Sequence, residues 1–199
     1  ELDETYFPES FKGNHAKGSF TMPRPSRQRG KQVHRRGLSR ERICAMTGVN
    51  DSNETFLEVT GRGALSRGRA MDAPRGRIAA GSVVATDRAA AYVGVLAELG
   101  VAAHAAYDPE DRSEGTINRI NTVHSLLGAF MEPFRGVSTK HLDAYLAWFR
   151  WCRTFMATDS GAAGRTVARQ LAHGVCRSRV RGMFNVEPPY MDYWAAPAA

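Results

Sequence analysis

The chain has few cysteines and no paired cysteine motif. Of its 199 residues only Cys44, Cys152 and Cys176 are cysteine, and they lie far apart in the sequence. This spacing argues against a zinc ribbon within the chain and against a disulfide framework of the secreted kind. We therefore expect a protein of a reducing, cytoplasmic compartment.

Long apolar runs are also missing. No run approaches the ~20 residues that a membrane-spanning helix needs, and the first residues do not have the charged-then-apolar pattern of a signal peptide. We therefore expect no membrane partner. With 43% hydrophobic residues, the chain is long enough to bury one core and a small appendage.

Acidic residues are scarce in two segments. Between residues 11 and 42, ten Lys or Arg face a single acid, Glu41, and a second arginine group at 62–77 has only Asp72 beside it. Positive charge clustered in this way indicates a phosphate backbone as partner, with an affinity that falls steeply as salt rises. The alternative for the charge alone is a solvated basic loop.

The hydrophobic pattern predicts an α/β fold with five strands. The predicted elements are strands at 1–7, 43–49 and 55–60, a short helix within 66–78, a strand at 82–86, a helix at 88–99, a strand at 101–107, and helices at 114–131 and about 139–155. The first three strands are expected to form an antiparallel meander. An exposed basic loop is predicted at 8–37 and a poorly ordered tail at 156–199.

The first predicted strand is short on its amino-terminal side. Only Glu1 and Leu2 precede Asp3, whereas a strand usually has about 5 or 6 residues, and the sequence does not begin with Met. We therefore expect that the sequence is a fragment whose amino-terminal part is missing.

Two acids and a histidine are candidates for a metal site. Asp87 ends an apolar strand, which is where open α/β sheets usually hold their reactive groups. In the helix at 114–131, the apolar residues recur at spacings of three and four, with Asn121 and His124 on the same face. A second acid, Asp3, lies in the first strand. The hypothesis is that Asp3, Asp87 and His124 converge on a divalent metal ion.

Each of these residues alone has a simpler explanation. Asp3 is more often a strand-end acid, and Asp87 after an apolar strand also suits a helix N-cap. His124 alone is more often an ordinary core or surface histidine. The order of several motifs along the chain, described next, favours the metal site.

Seven short motifs occur in a defined order. They are DETYF at 3–7, ESFKG at 9–13, RRGLS at 35–39, TGRG at 60–63, TD at 86–87, INTVHS at 120–125, and FRGVSTKHL followed by YLAWF within 134–149. Together they resemble the catalytic domain of bacterial insertion-sequence transposases of the DDE superfamily, specifically the ISXO-like group. The resemblance covers roughly residues 3–150.

The resemblance implies a ribonuclease-H-like fold for a catalytic domain at 1–155. Its mixed five-stranded sheet is flanked by helices, and a basic loop follows the first strand. In such a fold the first strand lies beside the fourth, which brings Asp3 next to Asp87. His124 stands where most superfamily members have Glu. A neutral imidazole removes one negative charge there and shifts the metal preference from Mg²⁺ towards Mn²⁺.

The same resemblance implies metal-dependent DNA transposition. Two Mg²⁺ or Mn²⁺ ions about 4 Å apart would activate a water or a DNA 3′-hydroxyl and stabilise the leaving oxygen. Asp3, Asp87 and His124 would be the catalytic metal ligands, with Asn121 supporting them. The partner would be double-stranded DNA, both transposon ends and target, in the nucleoid, with a homodimer as the candidate oligomer. The residues expected to hold the DNA backbone are Lys12, Lys17, Arg24, Arg27, Arg29, Lys31, Arg35, Arg36, Arg135 and Lys140.

Three functions stay open at the level of the sequence. The first is a DNA-cleaving and strand-transferring transposase domain. The second is a truncated, inactive remnant that binds DNA nonspecifically. The third is an unrelated basic nucleic-acid-binding module, in which the Asp–Asp–His pattern arises by chance.

Overall fold

The computed structural model describes residues 1–14, 20–25, 38–108, 117–156, 160–174 and 179–195. The strands in these ranges are β1 (Leu2–Pro8), β2 (Arg42–Val49), β3 (Thr55–Arg62), β4 (Val83–Asp87) and β5 (Ala103–Tyr107). The helices are α1 (Arg67–Asp72), α2 (Val95–Glu98), α3 (Asn118–Met131), α4 (Leu142–Phe155), α5 (Ser160–His173), α6 (Val180–Asn185) and α7 (Met191–Ala195). The predicted mixed α/β class is therefore confirmed. None of the described helices has the length and apolar character needed to cross a membrane.

The chain divides into two compact units. Unit 1 comprises Glu1–Ser10 and Ser26–Gly136, and unit 2 comprises Phe11–Pro25 and Val137–Ala199. All five strands belong to unit 1. The sequence instead predicts a boundary at residue 155, because the hydrophobic periodicity weakens only there.

Two segments that the sequence predicts to be loose contain ordered structure. In the predicted exposed loop at 8–37, Glu9, Phe11 and Asn14 are buried. In the predicted tail at 156–199, the described residues include helices α5, α6 and α7. Helix α5 contains four alanines, two arginines and one glutamine, which favour helix without deep burial.

Strands β1, β2 and β3 form an antiparallel sheet in that order, which confirms the predicted meander. The turn between β2 and β3 is held by Asn50, whose side-chain oxygen accepts from the backbone N–H groups of Ser52 at 3.0 Å and Glu54 at 2.9 Å. Asn53 in the same turn has a positive φ of 62°, a conformation that asparagine tolerates better than most residues.

The predicted single sheet of five strands is not formed among the described residues. Strands β4 and β5 pair in parallel as a separate two-stranded sheet. Cα atoms of β1 and β4 come within 8 Å of each other, but no ladder joins the two strands. A cavity of about 630 Å³, lined by Leu2, Val83 and Val84 among others, lies where β1 and β4 begin.

The predicted helix at 88–99 is broken into two short pieces. A 3₁₀ turn at Ala90–Tyr92 precedes α2, and Gly94 between them has a left-handed φ of 74°. Tyr92 and Leu96 are both buried in the core that contains Leu2 and Met46. The alanine-rich composition predicts a continuous helix, but a residue in the left-handed conformation interrupts it, and glycine adopts that conformation readily.

Helix α3 covers the opposite face of the three-stranded sheet. Its buried residues Ile120, Val123 and Leu127 recur at the helical spacing that the sequence predicts. The backbone N–H of Ile120 donates to the Glu1 carboxylate at 2.8 Å, which fixes the first turn of α3 against the start of β1. Unit 1 therefore has helices on both faces of its antiparallel sheet.

The arginines between residues 62 and 77 interact within unit 1. Arg62 forms a buried ion pair with Glu9, and Arg77 pairs with Glu58. Arg69 donates to the Arg62 carbonyl oxygen at 3.2 Å. Acids and carbonyl groups of the same unit thus contact these three arginines, and the expectation that the group at 62–77 binds a phosphate backbone stays a prediction.

Loss of the Glu9 carboxylate is expected to destabilise unit 1 strongly. The Glu9→Ala variant leaves the Arg62 guanidinium buried without its acidic partner, which costs about 3–5 kcal/mol in the free energy of unfolding. The matched control is Glu98→Ala, since the Glu98–Arg67 pair is more than half exposed and its loss should cost less than about 1 kcal/mol. Urea unfolding followed by circular dichroism measures both. Equal losses in the two variants would contradict a structural role for the buried pair.

Candidate functional site

The candidate site begins with a pair of facing residues in the antiparallel sheet. Asp3 of β1 lies directly opposite Thr47 of β2. Side chains alternate along a strand, so Asp3 and Thr47 project from the face that α3 covers, whereas Leu2 and Glu4 project from the other. Thr47 is fully buried, and the Asp3 side chain is 18% exposed. A polar pair therefore lies beneath the helix.

His124 of α3 contacts both residues of this pair. Its Nδ1 atom is 3.5 Å from Oδ2 of Asp3, and its Nε2 atom is 3.0 Å from Oγ1 of Thr47. His124 is adjacent to the buried stripe of α3, which explains why its ring points towards the sheet. Two of the three residues predicted for the metal site, Asp3 and His124, are thus in contact.

Asp87 lies at the carboxyl end of β4, as predicted, but its carboxylate has another partner. Oδ1 of Asp87 accepts from the backbone N–H of Ala89 at 3.1 Å. This is an Asx-turn bond and not the helix N-cap of the simpler explanation, because Ala89 is the N-cap residue of the 3₁₀ turn at Ala90–Tyr92 and no side chain caps that turn. The Asp87 charge nevertheless raises the pKa of Asp3, so the two carboxylates are close enough to interact.

Burial determines the protonation of the two residues in contact. It is the largest cause that raises the pKa of Asp3 to about 7, and the carboxylates of Asp87 and Glu4 raise it further. The N–H of Glu4, which donates to Oδ1 of Asp3 at 2.8 Å, opposes this shift. Burial also lowers the pKa of His124, so the imidazole is favoured in its neutral form.

A second acidic group lies on the other face of β1. The Glu4 carboxylate is mostly buried near the Tyr92 hydroxyl, and burial raises the pKa of both groups. The Oε1 atom of Glu4 is buried without a hydrogen-bond partner of normal geometry.

Neither Thr47 nor Tyr92 was identified from the sequence, since a threonine in a strand and a tyrosine in an alanine-rich segment carry no signal of their own.

Asn121 does not support the site as predicted. Its side chain is exposed to solvent. At about 100° per residue, position 121 lies about 60° further from the buried stripe than His124 does. The three-residue spacing predicts that Asn121 and His124 share one face of the helix. The part of that face that is buried against the sheet does not extend to Asn121.

The residues predicted to bind DNA have several different environments. Lys12 and Arg135 are exposed, and Arg135 has a left-handed φ of 51°. Lys140 donates to Oδ1 of Asn14 at 2.7 Å, and the Arg24 guanidinium lies over the rings of two aromatic residues in unit 2, Phe11 and Trp194. The remaining predicted contacts, Lys17, Arg27, Arg29, Lys31, Arg35 and Arg36, lie outside the described residues.

The donors at the site fit a divalent metal in part. Asp3 and His124 offer one oxygen and one nitrogen 3.5 Å apart, a separation that two ligands of a single ion at about 2.0–2.2 Å each can have. Their neighbour Asp87 adds negative charge that a cation would offset. However, no complete group of three metal-binding side chains stands together within the described ranges. Oδ1 of Asp87 accepts from the Ala89 N–H, so Oδ2 is the atom of this side chain that could become the third ligand.

The Asp3 carboxyl is expected to make unit 1 less stable as pH rises. Its pKa of about 7 lies above the ordinary value of 3.8, so between these values the folded chain binds more protons than the unfolded chain, and stability falls with rising pH. Asp3→Asn removes this dependence and keeps an oxygen for the Glu4 N–H. Without metal, the variant should be more stable than the wild type above pH 7, by roughly 2–4 kcal/mol. The difference should vanish below pH 4.

Urea midpoints measured across this pH range with a chelator present test the expectation. His124 has the opposite pH effect and contacts Asp3, so both proteins are compared in a His124→Gln background. The control is Asp51→Asn, whose carboxylate is 99% exposed and should change little. A constant difference between Asp3→Asn and the wild type at all pH values would contradict the assigned protonation of Asp3.

Two comparisons with known proteins found no match to the chain. No protein-family model matches the chain, and no curated protein matches it at a significant level. The function therefore has to be inferred from the arrangement of the chain's own side chains.

Proposed function

We propose that unit 1 is the catalytic core of a metal-dependent DNA transposase of the DDE superfamily, which cleaves and transfers phosphodiester bonds at insertion-sequence ends. The observation that carries the proposal is the 3.5 Å contact between Asp3 and His124. The same Asp3 carboxyl responds to the charge of Asp87. These are the three residues that the motif resemblance marks as metal ligands, and they come from three distant segments of the chain.

The order of the strands supports the proposal. The antiparallel sheet runs β3-β2-β1, and β4 pairs with β5 in parallel. Because β1 also lies near β4, the sequence of neighbours is 3-2-1-4-5, which is the order a ribonuclease-H-like sheet requires. The absence of a β1–β4 ladder within the described residues leaves this fold a proposal.

The site residues have the chemical properties that phosphoryl transfer needs. Mg²⁺ or Mn²⁺ held by them would polarise a phosphate oxygen and activate a water or 3′-hydroxyl. Asp3, with a pKa of about 7, loses its proton readily when a positive charge approaches. His124 is favoured in its neutral form, so it offers a nitrogen lone pair without first losing a proton. The buried surroundings strengthen each of these interactions.

The basic segment between residues 11 and 42 is the proposed contact with double-stranded DNA. It carries ten Lys or Arg against one acid, and such segments bind the phosphate backbone without reading sequence. Arg135, which is exposed near the end of unit 1, is a further candidate. Arg24 and Lys140 are weaker candidates, because aromatic rings and an amide oxygen already contact them.

Two observations favour a second function. Oδ1 of Asp87 already accepts from the Ala89 N–H, and the described residues contain no assembled group of three metal donors. A remnant that has lost catalysis but still binds DNA nonspecifically would retain such an arrangement. The two functions differ in one measurable property, which is metal-dependent cleavage.

Nicking of supercoiled plasmid tests the proposal. We expect the wild type to nick DNA with Mn²⁺, and less efficiently with Mg²⁺, because His124 supplies a nitrogen ligand. Asp87→Asn should reduce the rate roughly a hundredfold or more, since loss of a ligand should cost at least as much as loss of a group that orients one. The matched control is Asp72→Asn, an exposed acid that lies outside the site and should retain the wild-type rate.

Two other results would overturn the proposal. Nicking that survives in Asp87→Asn would assign the activity to a contaminant or to other residues. Absence of nicking, together with DNA binding that weakens steeply with salt, would favour the inactive remnant.

A further inference from the structure

The hydroxyl group of Thr47 is buried in the middle of the antiparallel sheet. Thr47 has no solvent exposure, and its neighbours on the same face of β2, Ala45 and Val49, are apolar and buried as well. A hydroxyl group in such surroundings is costly unless it forms a hydrogen bond. Its Oγ1 atom lies 3.0 Å from Nε2 of His124. The buried hydroxyl thus meets its hydrogen-bonding requirement through the histidine.

The geometry points to Thr47 as the residue that positions His124, by holding Nε2 so that Nδ1 is the ring nitrogen facing Asp3. Asp3 and Thr47 are paired across β1 and β2, so one ring contacts both through its two different nitrogens. The proposed orientation of the ring depends only on these two contacts of His124. The consequence for metal binding rests on the proposed function.

A threonine hydroxyl suits this role because it both donates and accepts. When Nδ1 carries the ring proton and donates towards the Asp3 carboxylate, Thr47 donates its own proton to Nε2. When Nδ1 offers its lone pair to a cation, the ring proton is on Nε2 and Thr47 Oγ1 accepts it. The hydrogen bond therefore persists through the change of tautomer that ligation at Nδ1 requires.

Valine at position 47 would fill the same space and remove this adaptability. The Nε2 atom would then face an apolar group. The tautomer with a proton on Nε2 would leave a buried donor without an acceptor, which is costly. We therefore expect Thr47→Val to fold but to disfavour ligation through Nδ1, with a metal affinity about ten- to a hundredfold weaker than that of the wild type. Serine at position 47 should restore the affinity.

The experiment uses ¹⁵N NMR of the imidazole nitrogens in the full chain, first without metal and at mildly alkaline pH. His124→Gln identifies the signals among the six histidines. We expect protonated Nδ1 and a hydrogen-bonded, unprotonated Nε2 in the wild type. In Thr47→Val the Nε2 signal should move to the position of an unbonded nitrogen, and in Thr47→Ser it should return. The control is Thr60→Val, which removes a hydroxyl bonded to the Cys44 carbonyl in the same sheet.

Addition of Mg²⁺ then separates this inference from the proposed function. In the wild type, the ring proton should move from Nδ1 to Nε2 as the ion binds. A wild type that does not respond to Mg²⁺ or Mn²⁺ would contradict the proposed metal site, whereas the metal-free Nε2 signal would still decide the role of Thr47. Identical Nε2 signals in the wild type and Thr47→Val, or equal changes in Thr60→Val, would overturn the positioning role.

Discussion

The antiparallel register between β1 and β2 determines which faces of the sheet Asp3, Glu4 and Thr47 occupy. Leu2 pairs with Gly48 and Asp3 with Thr47, so Asp3 faces α3 and Glu4 faces the core. A shift of one residue would exchange these faces. Gly48 favours this register, because a Cβ atom there would lie 2.1 Å from the Phe56 ring and would displace the Phe56 and Leu2 side chains.

The register brings acidic groups together in surroundings that disfavour their charge. Burial raises the pKa of Asp3 and Glu4 and the charge of Asp87 adds to both shifts, while burial lowers the pKa of His124. Such an arrangement reduces folding stability at neutral pH. Groups with strongly shifted pKa values that gather at the end of a strand are typical of functional sites. A cation bound at the proposed metal site would relieve this repulsion.

Much of unit 1 was predictable from the sequence because its elements have strong local periodicity. The alternation at 55–60 and the three-four spacing at 117–127 predicted the meander and α3, whereas the approach of His124 to Asp3 was a hypothesis that the motif resemblance favoured. The bond from the Ala89 N–H to Asp87 and the break at Gly94 depend on local contacts that periodicity does not encode. The sequence did not predict the exposure of Asn121, because the elements packed against a helix decide how many of its residues are buried. Likewise, the ion pairs of Arg62 and Arg77 join residues far apart in sequence.

The central claim is that Asp3, Asp87 and His124 form one metal site. A crystal structure of the full chain grown with Mn²⁺ tests it most directly, since the anomalous signal of manganese locates the ion without assumptions about its ligands. The account predicts a peak about 2.0–2.3 Å from the Asp3 carboxylate and from Nδ1 of His124, with an oxygen of Asp87 as the third ligand. A peak elsewhere, or no peak at this position, would contradict it.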